Sequence, residues 1–200
     1  DMTTILLTND DGYNSEGITA LYHALQEIGK VTIVAPDRDN SAVSHSLTMS
    51  RPLRVNQLQD DIINIDGTPA DCVALATKRI LKKKPDLLIS GINRGPNLGD
   101  DITYSGTVSA AIEGTMYSIP SLAFSLSEKQ GDYTAAAEIA VKIAKLTMLK
   151  GLPANTLLNI NIPAHYEDKG FKITRQGSRK WSNSIKEAID PWGQTVYWIG

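Results

Sequence analysis

One cysteine, Cys72, is all the thiol chemistry in this chain of 200 residues. That excludes a disulfide framework and any metal site built on paired cysteines. Charge of one sign is also missing: 20 Lys and Arg stand against 22 Asp and Glu, a net charge of −2 with a pI near 5.9. A general nucleic-acid binder is usually distinctly basic, so a polymer partner of that kind is excluded. No apolar run reaches the ~20 residues of a membrane span, and a signal peptide ahead of the first predicted strand is not expected. Repeats and low-complexity segments are absent. What is left is one domain with a small appendage, expected in the cytoplasm and off the membrane. A chain of this length buries roughly 70% of its unfolded surface, so it needs no staple to fold.

Residues 4–8 form a short apolar run without alternation, the signature of a strand buried on both faces. Ile18, Leu21, Tyr22, Leu25 and Ile28 follow at helical spacing, with Gly29 placed as a C-terminal cap. A second buried run at 31–35 completes a βαβ unit. The alternation continues with a helix over 70–81, a strand at 86–90 and a helix that Thr107 can cap, with Val108, Ala111, Ile112 and Met116 on its apolar face. A strand at 121–125, an Ala-rich helix over 132–149 and a strand at 157–162 complete it. Residues 51–65 read instead as a small antiparallel pair. The fold class is α/β: a doubly wound, mostly parallel, Rossmann-like sheet in a core of residues 1–163. Residues 164–200 form a small β-rich C-terminal appendage, with strands expected at 171–174 and 195–199, and Trp192 and Trp198 lie in it just after Trp181.

Ligands of open α/β sheets bind at the carboxyl ends of the strands, and three loops there are unusual. The first is Asn9-Asp10-Asp11-Gly12. Two carboxylates at a turn can approach one hard cation such as Mg²⁺ or Mn²⁺, though these residue types also dominate ordinary turns. The missing G-x-G-x-x-G argues against a nicotinamide enzyme. The second loop, 36–46, carries Arg38, Asn40, Ser41 and His45, and taken alone it reads as solvated, with Asp37 and Arg38 as a local ion pair. The third, from Ser90 to Thr107, is about 18 residues long, well above the usual few, and ends in Ser-Gly-Thr at a helix N-terminus. Backbone N–H groups and the helix dipole favour an anion there, so a phosphate cradle is preferred over a plain cap. Together the loops lay out metal-assisted hydrolysis of a phosphate ester.

Several longer motifs resemble the survival protein SurE family. They are Thr8-Asn9-Asp10-Asp11-Gly12, Val34-Ala35-Pro36-Asp37-Arg38, Gly67-Thr68-Pro69-Ala70-Asp71-Cys72-Val73, the run from Ser90 to Gly99, Tyr104-Ser105-Gly106-Thr107-Val108, Asn159-Ile160-Asn161-Ile162-Pro163 and Tyr197-Trp198-Ile199-Gly200. They come in the family's order and cover nearly the whole chain. The resemblance implies a metal-dependent phosphatase acting on nucleoside 5′- and 3′-monophosphates and, in some members, on short polyphosphate. It implies one divalent cation per subunit, Mg²⁺ or Mn²⁺, held by Asp10, Asp11, Ser41 and Asn93. Phosphate contacts are implied at Ser105, Gly106 and Thr107, with Asn97 nearby. Asp10 and Asp11 are the catalytic candidates, Asp10 ahead of Asp11 for orienting or deprotonating the water that attacks phosphorus in line. The residues by themselves pick out Asp10, Asp11 and the Ser-Gly-Thr cradle; Ser41 comes from the resemblance alone.

The Gly67–Val73 motif reads as a tight turn into a helix with Cys72 as a small buried hydrophobe, or as part of the nucleotide pocket. Two rival readings differ in chemistry. An aspartyl-phosphate phosphatase would use Asp10 as nucleophile, but such enzymes usually carry Asp-x-Asp after the first strand. A nucleotide sensor would bind in the same cradle without releasing phosphate. The family implies a homodimer or homotetramer built through a C-terminal segment. Asp1 is not a natural start, so the N-terminus is expected to be processed or trimmed, and because family members run on past the Tyr-Trp-Ile-Gly motif the chain is expected to continue past Gly200.

Overall fold

In the computed structural model, residues 2–128, 131–165, 170–178 and 185–199 are described. The apolar run β1 (Thr4–Thr8) lies at the centre of a seven-stranded sheet, between β2 (Lys30–Pro36) and β5 (Leu87–Arg94), parallel to both. Outward on one side come β4 (Ile62–Ile65) and the edge strand β3 (Val55–Gln59); on the other come β6 (Ser121–Leu126) and β7 (Leu157–Ile162). Only β3 runs antiparallel.

The lack of alternation in β1 has the expected cause, since both of its faces are covered. Ile5 and Leu7 join the core under α1 (Glu16–Leu25) and α4 (Tyr133–Lys150). Leu6 turns to the opposite core, under α2 (Pro69–Leu75) and α3 (Gly106–Met116). The sheet is therefore doubly wound and mostly parallel. A separate antiparallel pair, β8 (Ile185–Ile189) and β9 (Thr195–Ile199), forms the small C-terminal sheet.

Several local expectations change. Helix α1 stops at Leu25, and Gly29 is not its cap. Gly29 instead lies against the Thr3 carbonyl, where a Cβ would sit 2.6 Å from the oxygen. The helix expected over 70–81 closes at Leu75 and continues as one wide turn through Ile80, in which Leu81 N donates to Ala76 O before the chain extends toward Pro85. The pair at 51–65 forms, but β4 also pairs with β2, which makes it the edge of the main sheet. Ser105, not Thr107, caps α3, with its Oγ accepting Val108 N at 3.0 Å. Met116, expected on the apolar face of α3, is exposed at the helix end. No strand forms at 171–174: Ile173 is 98% exposed, with no burial to hold an extended segment against a neighbour. Trp181 and Gly200 lie outside the described residues.

Candidate active site

Strand order reverses between β1 and β5, and that crevice, at the carboxyl ends of the strands, is where open α/β sheets bind ligands. The turn leaving β1 is shaped by Asn9, which is fully buried. Its Nδ2 donates to Gly12 O and to Ser15 Oγ, both at 2.8 Å, while Gly12 N donates back to Asn9 Oδ1 at 3.2 Å. Gly12 has φ +101°, a conformation that L side chains rarely adopt, so glycine is needed to turn the chain here. Sequence reasoning read Asn9 as a generic turn residue. Its signal was the Asn-x-x-Gly spacing, which lets one side chain close the turn on itself.

Asp10 sits at the bottom of the crevice, 4% exposed. Thr107 donates its hydroxyl to Asp10 Oδ1, joining the end of β1 to the first turn of α3. Gly106 lies so close that a Cβ there would come within 2.7 Å of Asp10 Cβ and 2.9 Å of Oδ2. Burial pushes the Asp10 carboxyl up to about 6 against the pull of the Thr107 hydroxyl, and the Asp11 charge adds a smaller push. Burial also raises Asp11, opposed by the Arg94 peptide N–H, which donates to Asp11 Oδ2 at 3.2 Å. Behind them Thr8 Oγ1 and Ser90 Oγ, register partners on β1 and β5, are buried with no hydrogen-bond partner, so the crevice floor keeps unused polar groups.

The second loop folds over this turn rather than standing free in solvent. Asn40 N donates to Asp10 O at 2.7 Å, and Ser44 N donates to Tyr104 O at 3.0 Å. His45 Nε2 meets the buried Glu113 of α3 at 2.7 Å. Asp71 secures the loop's far end: its carboxylate accepts Thr48 N at 2.9 Å and Thr48 Oγ1 at 2.6 Å while also serving the capping box with Thr68. The Gly67–Val73 motif is thus both a helix start and a loop anchor, and Cys72 is a fully buried part of the core. Ser41 is exposed; its N–H and hydroxyl both donate to Asp39 Oδ1, at 2.7 and 2.6 Å. Its backbone follows Asn40 to the edge of the crevice, while its side chain faces Asp39.

At the end of β5, the Asn93 amide nitrogen donates to Gly95 O at 2.8 Å, so a cation would meet the amide oxygen. Asn97 is buried and held from several sides. Its N–H donates to Asn161 Oδ1 at 2.8 Å, and its carbonyl accepts Asn159 Nδ2 and Asn161 Nδ2 at 2.9 and 3.1 Å. Its own Nδ2 donates to Ser125 Oγ at 2.8 Å. Asn159 and Asn161 were visible only as part of a motif on β7; the structure makes them the clamp on the third loop. That loop is also less irregular than its length suggests, because β5 runs on to Arg94 and a 3-10 turn occupies Gly99–Thr103.

The donor set suits a hard divalent cation: two carboxylates, an amide oxygen and a hydroxyl, all oxygen. The raised Asp10 fits as well, since a buried carboxylate with only hydroxyl and peptide partners lacks the positive charge that would hold it ionised. Among the described residues no cluster of three His, Cys, Asp or Glu surrounds one point. A cation here would therefore rely on Asp10, Asp11, neutral oxygens and water. The cradle's donors are already divided. Thr107 Oγ1 serves Asp10 and Ser105 Oγ accepts from Val108, so the donors these bonds leave unused are the Ser105 hydroxyl proton and the Gly106 N–H at the start of the helix.

The chain matches the model of a family described as survival protein SurE over residues 5–183. Among curated relatives, the 5′-nucleotidase SurE of Geotalea daltonii is 50% identical over 200 residues, which cover 98% of this chain and 81% of that protein. The 5′-nucleotidase SurE of Aquifex aeolicus is 52% identical over 203 residues, covering 99% and 81%. The crystal structure of SurE protein from Aquifex aeolicus superposes with a TM-score of 0.87 at 50% identity, covering 98% of this chain and 82% of that one.

Proposed function

The chain belongs to the survival protein SurE family, and from that premise we propose that it is a metal-dependent phosphoric monoester hydrolase releasing phosphate from nucleoside 5′-monophosphates. The reading extends to 3′-monophosphates and short polyphosphate. The observation that carries it is the Asp10–Gly106–Thr107 contact, which brings a buried carboxylate and a helix N-terminus into one crevice. A group with oxygen anions could then lie across both, provided that positive charge stands between it and Asp10.

Asp10, Asp11, Asn93 and Ser41 would hold Mg²⁺ or Mn²⁺, one per subunit; when bound, the ion supplies Lewis-acid stabilisation of the phosphoryl oxygens. The chain's own groups do the rest. The Ser105 hydroxyl and the Gly106 N–H donate to equatorial oxygens, in the first turn of α3 where the helix dipole favours negative charge. Thr107 fixes Asp10 Oδ1, which leaves Oδ2 to orient the attacking water and accept its proton. Asn97, clamped from β7, sets where the loop over the phosphate begins.

A panel of nucleoside 5′- and 3′-monophosphates and short polyphosphate, assayed for inorganic phosphate with Mg²⁺, Mn²⁺ or EDTA, tests this. Release is expected with either metal, lost in EDTA and restored by excess cation. Release that persists in EDTA, or tight binding without release, would overturn it. The substrates are cytoplasmic metabolites, and the proposal places the protein there.

The proposal includes self-association, as a homodimer or homotetramer. Ile185, Ile189, Trp192, Tyr197, Trp198 and Ile199 of the C-terminal hairpin are all exposed. A lone two-stranded sheet is marginal in water, and exposed apolar patches mark contact surfaces. Sedimentation equilibrium is expected to give a multiple of the monomer mass, and the double variant Ile185→Ser, Trp198→Ser is expected to fall to the monomer. A wild-type monomer at assay concentrations would defeat this part of the proposal.

A further inference from the structure

The second loop closes a ring around the turn that carries Asp10 and Asp11. One end is pinned to β1, where Asn40 N donates to Asp10 O at 2.7 Å. The other is pinned to α3, where His45 Nε2 lies 2.7 Å from Glu113 Oε2. A carboxylate only accepts, so the imidazole is the donor. Helix α3 returns the path to β1 through the Thr107 hydroxyl, which donates to Asp10 Oδ1. Glu113 stands seven residues along α3 from Gly106, about 10 Å away on the same helix face. Ser41 lies four residues before His45, so at most ~14 Å of chain separates them. Where His45 is held therefore limits where the Ser41 backbone can be.

The segment between the two pins does not keep its shape unaided. Ala42 (φ +59°) and Ser44 (φ +57°) both occupy the left-handed region, which residues with a Cβ adopt when their surroundings require it. Two bonds inside the loop, Val43 N to Asn40 O at 3.2 Å and Ser46 Oγ to Val43 O at 3.0 Å, are local and travel with it. Ser44 N, donating to Tyr104 O at 3.0 Å, holds its middle. The His45 side chain ties it to the body of α3. Glu113 is 5% exposed, in the buried stretch of α3 that also holds Ala110, Ala111 and Gly114. A glutamate so buried is retained when it is paired. One turn on, Tyr117 faces the same carboxylate: burial and the Glu113 charge hold its phenol above the usual range, so it keeps its proton and leaves His45 as the partner from the loop.

We propose that His45 and Glu113 are a positioning pair for the cation: the latch between them holds Asn40 and Ser41 at the edge of the crevice, so that Ser41 needs no ordering of its loop before it can serve the ion. This rests on the metal-dependent reading above and adds to it two residues that touch neither cation nor substrate.

The test measures Mn²⁺ affinity directly, from the electron spin resonance signal of the free ion, together with kcat at saturating Mn²⁺ and the melting temperature in EDTA. His45→Ala is expected to weaken Mn²⁺ binding about tenfold, the low end for losing a group that orients metal ligands, while most of kcat returns at saturating metal. His45→Gln places an amide donor at a similar reach and is expected to restore the affinity to within about twofold. Combining His45→Ala with Glu113→Gln removes the buried charge that His45→Ala leaves alone. That double variant is expected to melt at a higher temperature than His45→Ala and still bind Mn²⁺ as weakly. Ile139→Val, in the core on the opposite face of the sheet, is expected to melt at a lower temperature than wild type and bind Mn²⁺ normally. Amide exchange at Asn40 and Ser44 is expected to speed up about tenfold in His45→Ala and in the double variant, and not in Ile139→Val. Wild-type affinity in His45→Ala, affinity recovered in the double variant, no rescue by Gln, or unchanged exchange would overturn the proposal. If the wild type binds no Mn²⁺, the metal-dependent reading falls, and the exchange rates still decide whether the latch sets the loop.

Discussion

Replacing Asp10 with asparagine is expected to cut phosphate release by about a thousandfold, the scale of losing one preorganised electrostatic group at a reacting centre. The same substitution is expected to make the metal-free protein more stable at neutral pH. The buried carboxyl is raised from an ordinary 3.8 to about 6, so folding favours its protonated form. That preference supports the fold fully below about pH 4 and is lost as pH rises through 6; beyond that, ionising the group inside the protein costs up to about 3 kcal/mol. Asparagine has the same shape, still accepts the Thr107 hydroxyl through Oδ1 and has nothing to ionise. In EDTA, Asp10→Asn should therefore denature later than wild type at pH 7–8 and match it near pH 4. Adding Mg²⁺ or Mn²⁺ should raise the melting temperature of wild type and leave the variant unmoved, because only the former gains a bound state to stabilise. Equal stability curves in EDTA from pH 4 to 8 would show that the carboxyl is not held as the structure places it, and near-normal turnover at saturating metal would remove Asp10 from the chemistry.

Gly106→Ala is expected to damage both fold and activity without touching any charge. The new Cβ would sit 2.7 Å from Asp10 Cβ and 2.9 Å from its Oδ2. Neither neighbour has room to retreat: one is fixed to β1, the other is the carboxyl held by Thr107. Overpacking of this kind costs roughly 1–3 kcal/mol. The strain is relieved by moving α3 and β1 apart by a few tenths of an ångström to an ångström, and displacement on that scale lowers turnover by about a hundredfold. Thermal melting and steady-state kinetics at saturating metal measure the two effects together. Normal kcat in a destabilised Gly106→Ala variant would show that the spacing serves the fold and not the site.

Much of the sheet is legible because its central strands are buried on both faces: 4–8 and 31–35 read correctly from apolar runs alone. Periodicity fails where an element ends for reasons remote in sequence. Gly29 looks like a cap, but its smallness answers to the Thr3 carbonyl. Thr107 looks like a cap as well, yet Ser105, two residues earlier, takes the role and frees Thr107 for a carboxylate 97 positions away. The site shows the same division. Asp10, Asp11 and the Ser-Gly-Thr turn are candidates by residue type and position, and the fold brings Asp10, Gly106 and Thr107 together. Asn9, Asn159 and Asn161 do not, because an asparagine's use depends on which backbone it closes upon, and only the fold brings that backbone near.

The clamp on Asn97 has a consequence in time. A chain leaving the ribosome is structured from its N-terminus onward, and β1, β2 and β5 can pair long before β7 exists. The third loop, however, is fixed through Asn97 by two side chains 62 and 64 residues further along. A nascent chain halted after β6 would own every acidic and hydroxyl group proposed here and still lack a set loop, so competence comes with the last strand of the sheet to be made.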